Sequence, residues 1–188
     1  MNAYFPKMIT LCGMMGCGKS AHGRQLAKQL GRPFLDLDQE IERVFGKAVH
    51  AIFAQNGEAA FRAAEREILA KLLFSESAVI ALGGGALQDE SNARFIRENS
   101  ILCFIDAPFD SILDRVQRNT RRPLLLNENG TLKTEEEIRN ILLSLDQKRR
   151  PLYETAQIHF RPHPNAKVWA SVKKLIQQID AHSRKTEN

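Results

Sequence analysis

Met8-Ile9-Thr10-Leu11-Cys12-Gly13-Met14-Met15-Gly16-Cys17-Gly18-Lys19-Ser20 is the stretch that decides the fold. A short apolar run (Met8, Ile9, Leu11) leads into Gly-x-x-x-x-Gly-Lys-Ser over residues 13–20, and a helical pattern from about residue 19 to 30 follows, closed by Gly31. That order reads as strand, phosphate loop, helix. The glycines let the backbone curl into a nest of N–H groups, and the helix that begins there adds its own unpaired N–H groups and positive dipole end. Lys19 can then reach the β- and γ-phosphates of a nucleoside triphosphate, and Ser20 can ligate Mg²⁺. At average residue usage the four fixed positions arise by accident on the order of once in a hundred chains of this length. The loop specifies a nucleoside triphosphate and leaves open what receives the phosphoryl group.

At 188 residues and 43% hydrophobic, the chain has enough material for one compact domain with a substantial core and too little for two. The net charge of +5 admits an anionic partner. Its densest basic clusters, Arg121-Arg122 and Lys148-Arg149-Arg150, are short and lack interleaved aromatics, so anionic small molecules are expected and nucleic acid is not. Cys12, Cys17 and Cys103 form neither a paired framework nor a metal-ligand spacing, which suits a reducing cytosol. Cys17, at a helix N-terminus, is read as a passive loop residue rather than a reactive thiol. The first twelve residues lack the layout of a secretory signal, and no stretch has the apolar length to span a membrane, so a cytoplasmic protein without membrane contact is expected.

Beyond the first helix, residues 32–38 read as a second short strand ending in acid. Helical patterns follow over 39–45 and 49–55, then a long one over 58–74 with Phe61, Ala64, Ile68 and Leu72 on one face. A third strand over 78–82 runs into Gly83-Gly84-Gly85. Next come a helix near 89–98, a fourth strand over 101–105 and a helix from about 110 to 118. Residues 119–133 are polar and broken by Pro123 and Gly130, a loop long enough to imply function. A helix over 135–147, a strand over 158–160 and a last helix burying Val168, Val172, Leu175, Ile176 and Ile179 complete the chain, with fraying expected from His182. Strands alternating with helices argue for an α/β fold, a parallel sheet covered on both faces, with ligands beyond the carboxyl ends of the strands.

Three strands end in candidate functional loops: the phosphate loop, Asp36-Leu37-Asp38, and the triple glycine. Two apart on a strand, Asp36 and Asp38 would point the same way. One could hold Mg²⁺ through water while the other takes a proton from an attacking hydroxyl; the competing reading is a helix N-cap. The glycines offer an oxygen-rich ligand close backbone approach, or are a plain flexible turn. Arg62, Arg122 and Arg149 lie on three separate segments, and a planar fork of donors is the natural partner of a carboxylate or phosphate. Each is otherwise a solvated surface charge. Arg122, in the long loop, could swing over the triphosphate as a clamp.

Taken together these residues resemble the shikimate kinase family of P-loop kinases. The likeness runs from the phosphate loop through Phe34-Leu35-Asp36-Leu37-Asp38 and Gly57-Glu58-Ala59-Ala60-Phe61-Arg62-Ala63-Ala64-Glu65. It continues in Gly83-Gly84-Gly85, Arg122-Pro123-Leu124-Leu125 and Arg149-Arg150-Pro151-Leu152-Tyr153. The resemblance implies a three-layer α/β/α domain spanning 1–188, with a five-stranded parallel sheet of order 2-3-1-4-5. Its core would be about 7–38, 78–118 and 135–181, with a substrate-binding segment at about 39–65 and a mobile lid at about 119–133. It implies phosphorylation of the 3-hydroxyl of shikimate by ATP with Mg²⁺, on the route to chorismate, by a monomer. Asp38 would bind the shikimate hydroxyls and act as base, Arg62 and Arg149 would grip the carboxylate, and Gly83, Gly84 and Gly85 would meet the ring hydroxyls. Lys19 and Arg122 would act on the phosphates, Gly13, Met14, Met15, Gly16, Cys17 and Gly18 would cradle them, and Ser20 and Asp36 would serve the metal.

Three departures from the family pattern stand out. Ala21 replaces the Thr common after the loop serine, Leu82 stands where a Thr often precedes the glycines, and His159-Phe160-Arg161-Pro162 is unlike the usual approach to the adenine loop. The rival readings are a gluconate kinase of the same architecture and a non-catalytic P-loop binding protein. The first also phosphorylates a hydroxylated carboxylate, and the Arg-Pro-Leu-Leu and Arg-x-Pro-Leu-Tyr stretches weigh against it. Against the second, a competent residue fills every candidate catalytic position.

Overall fold

The structure, a computed structural model, describes residues 8–73, 77–118 and 122–186. The expectations for Lys7, Phe74 and the first three positions of the 119–133 loop lie outside the described residues. Strands β1 (Met8–Cys12), β3 (Ala78–Ala81) and β4 (Ile101–Ile105) are buried at every position. Such uninterrupted apolar runs require cover on both faces, as a parallel sheet flanked by helices provides. With β2 (Phe34–Asp36) and β5 (Ile158–Phe160) they form one five-stranded sheet of order β2-β3-β1-β4-β5, parallel throughout. Ile9 of the central strand pairs with Val79 on one side and Ile101 on the other. The order matches the expectation, and it brings the carboxyl ends of β1, β2 and β3 together.

Helix α1 (Lys19–Leu30) begins at Gly18 and ends on the left-handed Gly31, whose N–H reaches the Ala27 and Lys28 carbonyls. It packs against α7 (Val168–Thr186), which in turn contacts β5. The other helices are α2 (Leu37–Phe45), α3 (Val49–Leu73), α4 (Glu90–Asn99), α5 (Phe109–Gln117) and α6 (Glu135–Tyr153). Asp89 caps α4 by accepting from the Asn92 amide, and Thr134 with Glu137 forms a reciprocal capping box at the start of α6.

Five expectations need correcting. The second strand stops at Asp36, and Leu37 and Asp38 already belong to α2; acid in that first turn meets the positive end of the helix. Helix α6 runs on from residue 147 to Tyr153, through Pro151. A proline there forfeits one hydrogen bond near a helix end, while the Asp146–Arg150 pair at 2.8 Å and the buried Tyr153 hold the last turn. In α7, Val172, Leu175 and Ile179 are buried and Ile176 packs against them, but Val168 is exposed. The segment from His182 is helical to Thr186, with Ser183 buried and bonded to the Ile179 carbonyl. The 122–133 stretch is also more ordered than a plain loop, with a 3₁₀ turn at Pro123–Leu125, a buried Leu125 and a bridge between Leu126 and Leu132.

The two helical patterns over 49–55 and 58–74 emerge as one long helix broken at Gly57, where φ is 78° and ψ 168°. Among the described residues, nothing beyond the adjoining chain lies within 4 Å of the place a Cβ would occupy, so the constraint is one of backbone conformation. Gly57→Ala is therefore expected to lower the unfolding free energy by about 1–3 kcal/mol, read from urea titration. An unchanged midpoint would mean that the break does not depend on glycine.

Candidate active site

The phosphate loop leaves β1 at Gly13 and turns through Gly16 and Gly18, with φ of 78° and 98° at the latter two, so that α1 starts directly behind it. Lys19 Nζ lies back over the loop and donates to the Gly13 carbonyl at 2.7 Å and the Met14 carbonyl at 3.2 Å. Met15, Gly16, Gly18, Lys19 and Ser20 line a cavity of about 590 Å³. Gly13, Met14 and Cys17 do not line it; Met14 and Cys17 are buried behind the loop, which fits a passive Cys17. Arg115, near the end of α5, donates to the carbonyls of Gly16 and Cys17 at 3.2 and 3.3 Å and so pins two peptide planes of the loop.

At the end of β2, Asp36 occupies the N-cap position of α2 without capping it. Its Oδ2 instead accepts from Ser20 Oγ at 2.9 Å, which joins the second strand to the phosphate loop. Asp38 lines the same cavity from the first turn of α2. The two acids thus converge across a strand-to-helix junction rather than by strand alternation. Burial pushes the Asp38 carboxyl above the ordinary range, the neighbouring Asp36 charge adds to the rise, and Lys19 opposes it.

Gly83, Gly84 and Gly85 follow β3, and each backs one candidate side chain. A Cβ on Gly83 would stand 2.5 Å from Asp38 Oδ1, one on Gly84 would stand 3.0 Å from Arg149 Nη1, and one on Gly85 would stand 2.8 Å from Arg62 Nη2. No residue with a side chain fits at these positions without displacing an acid or a guanidinium. The three glycines therefore serve close approach, since none of them has a positive φ.

Arg62 comes from α3, just past the break at Gly57. Its Nη1 pairs with Glu65 at 2.7 Å and its Nη2 more loosely with Glu58 at 3.4 Å. Glu65 is 1% exposed, and burial raises its carboxyl while Arg62 opposes the rise. Arg149 comes from the final turns of α6, and Arg122 from the start of the 122–133 segment. Among the described residues, the Nε atoms of both are buried polar atoms without a hydrogen-bond partner. Buried donors of this kind mark a place built for an acceptor. Burial also lowers the Arg122 pKa, since it disfavours the charged form. Val49, Phe53 and Phe61 form an apolar wall, the two phenyl rings 4.5 Å apart.

Asp36, Asp38, Lys19, Ser20, Arg62, Arg122, Arg149 and the glycines thus line one cavity. Sequence reasoning missed Arg115 and Glu65. The signal for Glu65 was its place three residues after Arg62 on a helix, while Arg115 had only the recurrence of basic residues toward the end of α5.

Residues 15–180 match the family model described as shikimate kinase. A shikimate kinase from Salinibacter ruber is 38% identical over 180 residues, covering 95% of this chain and 87% of that protein. The structure of shikimate kinase from Acinetobacter baumannii in complex with shikimate superposes with a TM-score of 0.81 at 35% identity, covering 94% of each chain. A gluconokinase from Sinorhizobium meliloti covers 97% of each chain but at 15% identity and a TM-score of 0.56, a likeness of fold alone. A full-length match above 30% identity, on a chain whose strand order and phosphate loop already define a P-loop kinase, shows that this protein belongs to the shikimate kinase family, enzymes that phosphorylate shikimate with ATP and Mg²⁺.

Proposed function

We propose that the cavity carries out transfer of the γ-phosphoryl group of ATP to the 3-hydroxyl of shikimate with the residues assigned as follows. The single observation that carries the reading is the convergence of Asp38, Arg62 and Arg149 on the Gly83–Gly85 backbone within reach of the phosphate loop. Arg62 and Arg149 receive the carboxylate, each as a fork of donors. The glycine backbone and Asp38 receive the ring hydroxyls. The wall of Val49, Phe53 and Phe61 suits a carbocyclic ring better than the open polyol chain of gluconate. Segment 39–65 acts as the substrate-binding segment and 119–133 as the lid on one domain of 188 residues, which works as a monomer in the cytoplasm. Among the described residues no helix is long and apolar enough to cross a membrane.

Asp38 takes the proton of the acceptor hydroxyl as its oxygen attacks the γ-phosphorus and the bond to the ADP oxygen breaks. A carboxyl raised by burial is a better base than a solvated one. Lys19 and Arg122 stabilise charge on the transferring oxygens, and the loop N–H groups hold the rest of the triphosphate. The Ser20 hydroxyl and Asp36 carboxylate, 2.9 Å apart beside the loop, are an all-oxygen pair of the kind Mg²⁺ takes together with phosphates and water. Among the described residues no cluster of three or more His, Cys, Asp or Glu side chains forms a dedicated metal cage, which also fits Mg²⁺. When bound, the ion neutralises charge on the phosphate oxygens.

A coupled assay of ADP release should show turnover that depends on shikimate, with much slower release when gluconate or no acceptor is supplied. Equal rates in all three would reject the assignment. Arg149→Lys should weaken shikimate binding roughly 10- to 100-fold and leave ATP binding nearly unchanged, because one ammonium cannot replace a fork of donors. If only ATP affinity changed, Arg149 would belong to the nucleotide.

Asp38→Asn should nearly abolish turnover and yet stabilise the fold. A carboxyl whose folded pKa is raised costs stability where it is ionised and regains it as the pH falls through that pKa. Urea titration should therefore find the variant more stable than the parent near pH 8, with the gap closing toward about pH 4. Retained turnover, or a less stable variant near pH 8, would remove Asp38 from this role.

A further inference from the structure

Tyr153 is the last residue of α6, one helical turn beyond Arg149, and only 1% exposed. Its ring packs against Phe104 of β4, with centroids 5.4 Å apart and planes inclined by 34°, which fixes where the hydroxyl can go. That hydroxyl donates to the carbonyl of Gly84 at 2.8 Å. Arg149 Nη1 lies 3.0 Å from the position a Cβ on the same glycine would take. The guanidinium is close enough to the phenol to act on its ionisation by charge and hydrogen bonding, opposing the burial that raises it. The phenol oxygen thus ties down the glycine turn with the arginine beside it.

We infer that Tyr153 is a positioning residue that acts through Arg149 and Gly84, holding the guanidinium and the glycine backbone in the geometry that receives the substrate carboxylate and hydroxyls. The inference rests on the reading of Arg149 as a carboxylate ligand. A free arginine side chain gives up much rotamer freedom when it is ordered. An arginine already ordered in the empty protein spares the ligand that cost on binding. The buried, unpartnered Arg149 Nε fits such a preset group, because burial leaves it little room to relax toward solvent. Pro151 lies between the two residues and removes one backbone hydrogen bond near the turn that carries both, and the Tyr153 hydroxyl adds an anchor at the end of that turn.

The competing role is that of a core aromatic, and Tyr153→Phe separates the two because it keeps the ring and the Phe104 stack. The expected result is a rise of about tenfold in KM and in the calorimetric Kd for shikimate, as for loss of one hydrogen bond linked to a charged group. KM for ATP and kcat should stay within about twofold of the parent. In an Arg149→Ala background, calorimetry should find that Tyr153→Phe adds almost nothing further, because neighbours that act as one unit are not additive. Additive losses, unchanged shikimate affinity, or loss of ATP binding together with shikimate binding would each overturn the inference. Failure of the underlying reading would look different: Arg149→Ala alone would leave shikimate affinity intact, whatever Tyr153→Phe does.

Discussion

Three consecutive residues without side chains, at the carboxyl end of β3, are the constraint on which the site depends. Gly83, Gly84 and Gly85 each leave room for one charged group, Asp38, Arg149 and Arg62 in turn. Those groups arrive from three helices, α2, α6 and α3, of which α6 lies far along the chain from the other two. The turn is a template against which the acid and the two guanidiniums are registered, and its place in the sheet, next to β1, puts that template beside the phosphate loop. Adding a methyl group at any of the three would press on the charged group beside it, most tightly at Gly83.

Around this template the charges are unevenly matched. Lys19, Arg62, Arg115, Arg122 and Arg149 line the cavity against Asp36, Asp38 and Glu65. The acids are already engaged, Asp36 with Ser20 and Glu65 with Arg62, and Asp38 is raised by burial. The surplus of positive charge suits two anions at once, a triphosphate and a carboxylate. Arg115 spends its donors on loop carbonyls and therefore shapes the cradle, while Arg122 and Arg149 retain buried donors without partners. The same preorganisation explains why buried acids are tolerated here at a cost in stability: a base that works at neutral pH must be desolvated before the substrate arrives.

Most of the fold was legible because its signals are local. The phosphate loop located the first strand and helix, and the apolar runs at 78–82 and 101–105 placed β3 and β4 to within one position. Where the reading slipped, tertiary contacts had outweighed local preference. The helix is read as ending at 147, yet α6 continues because Tyr153 is buried and Arg150 pairs with Asp146 and Asp106. The tail past His182 reads as polar fraying, yet it stays helical, with Ser183 buried. Asp38 was identified by type and place but assigned to a strand, because the pattern does not show a helix starting immediately after Asp36. Glu65 and Tyr153 stood inside recognised stretches but were not read as site residues. Their roles come from what they touch across the fold, and an acid after an arginine or a tyrosine at a helix end carries no such signal alone.

The account stands on the acceptor lying between the glycine turn and the phosphate loop, with its carboxylate on the arginines. A crystal structure of the protein with ADP, Mg²⁺ and shikimate measures this directly. The account predicts the carboxylate on Arg62 and Arg149, and the 3-hydroxyl oxygen within hydrogen-bond reach of Asp38, about 2.6–3.2 Å. Shikimate bound with its carboxylate away from both arginines, or its 3-hydroxyl out of reach of Asp38, would contradict it.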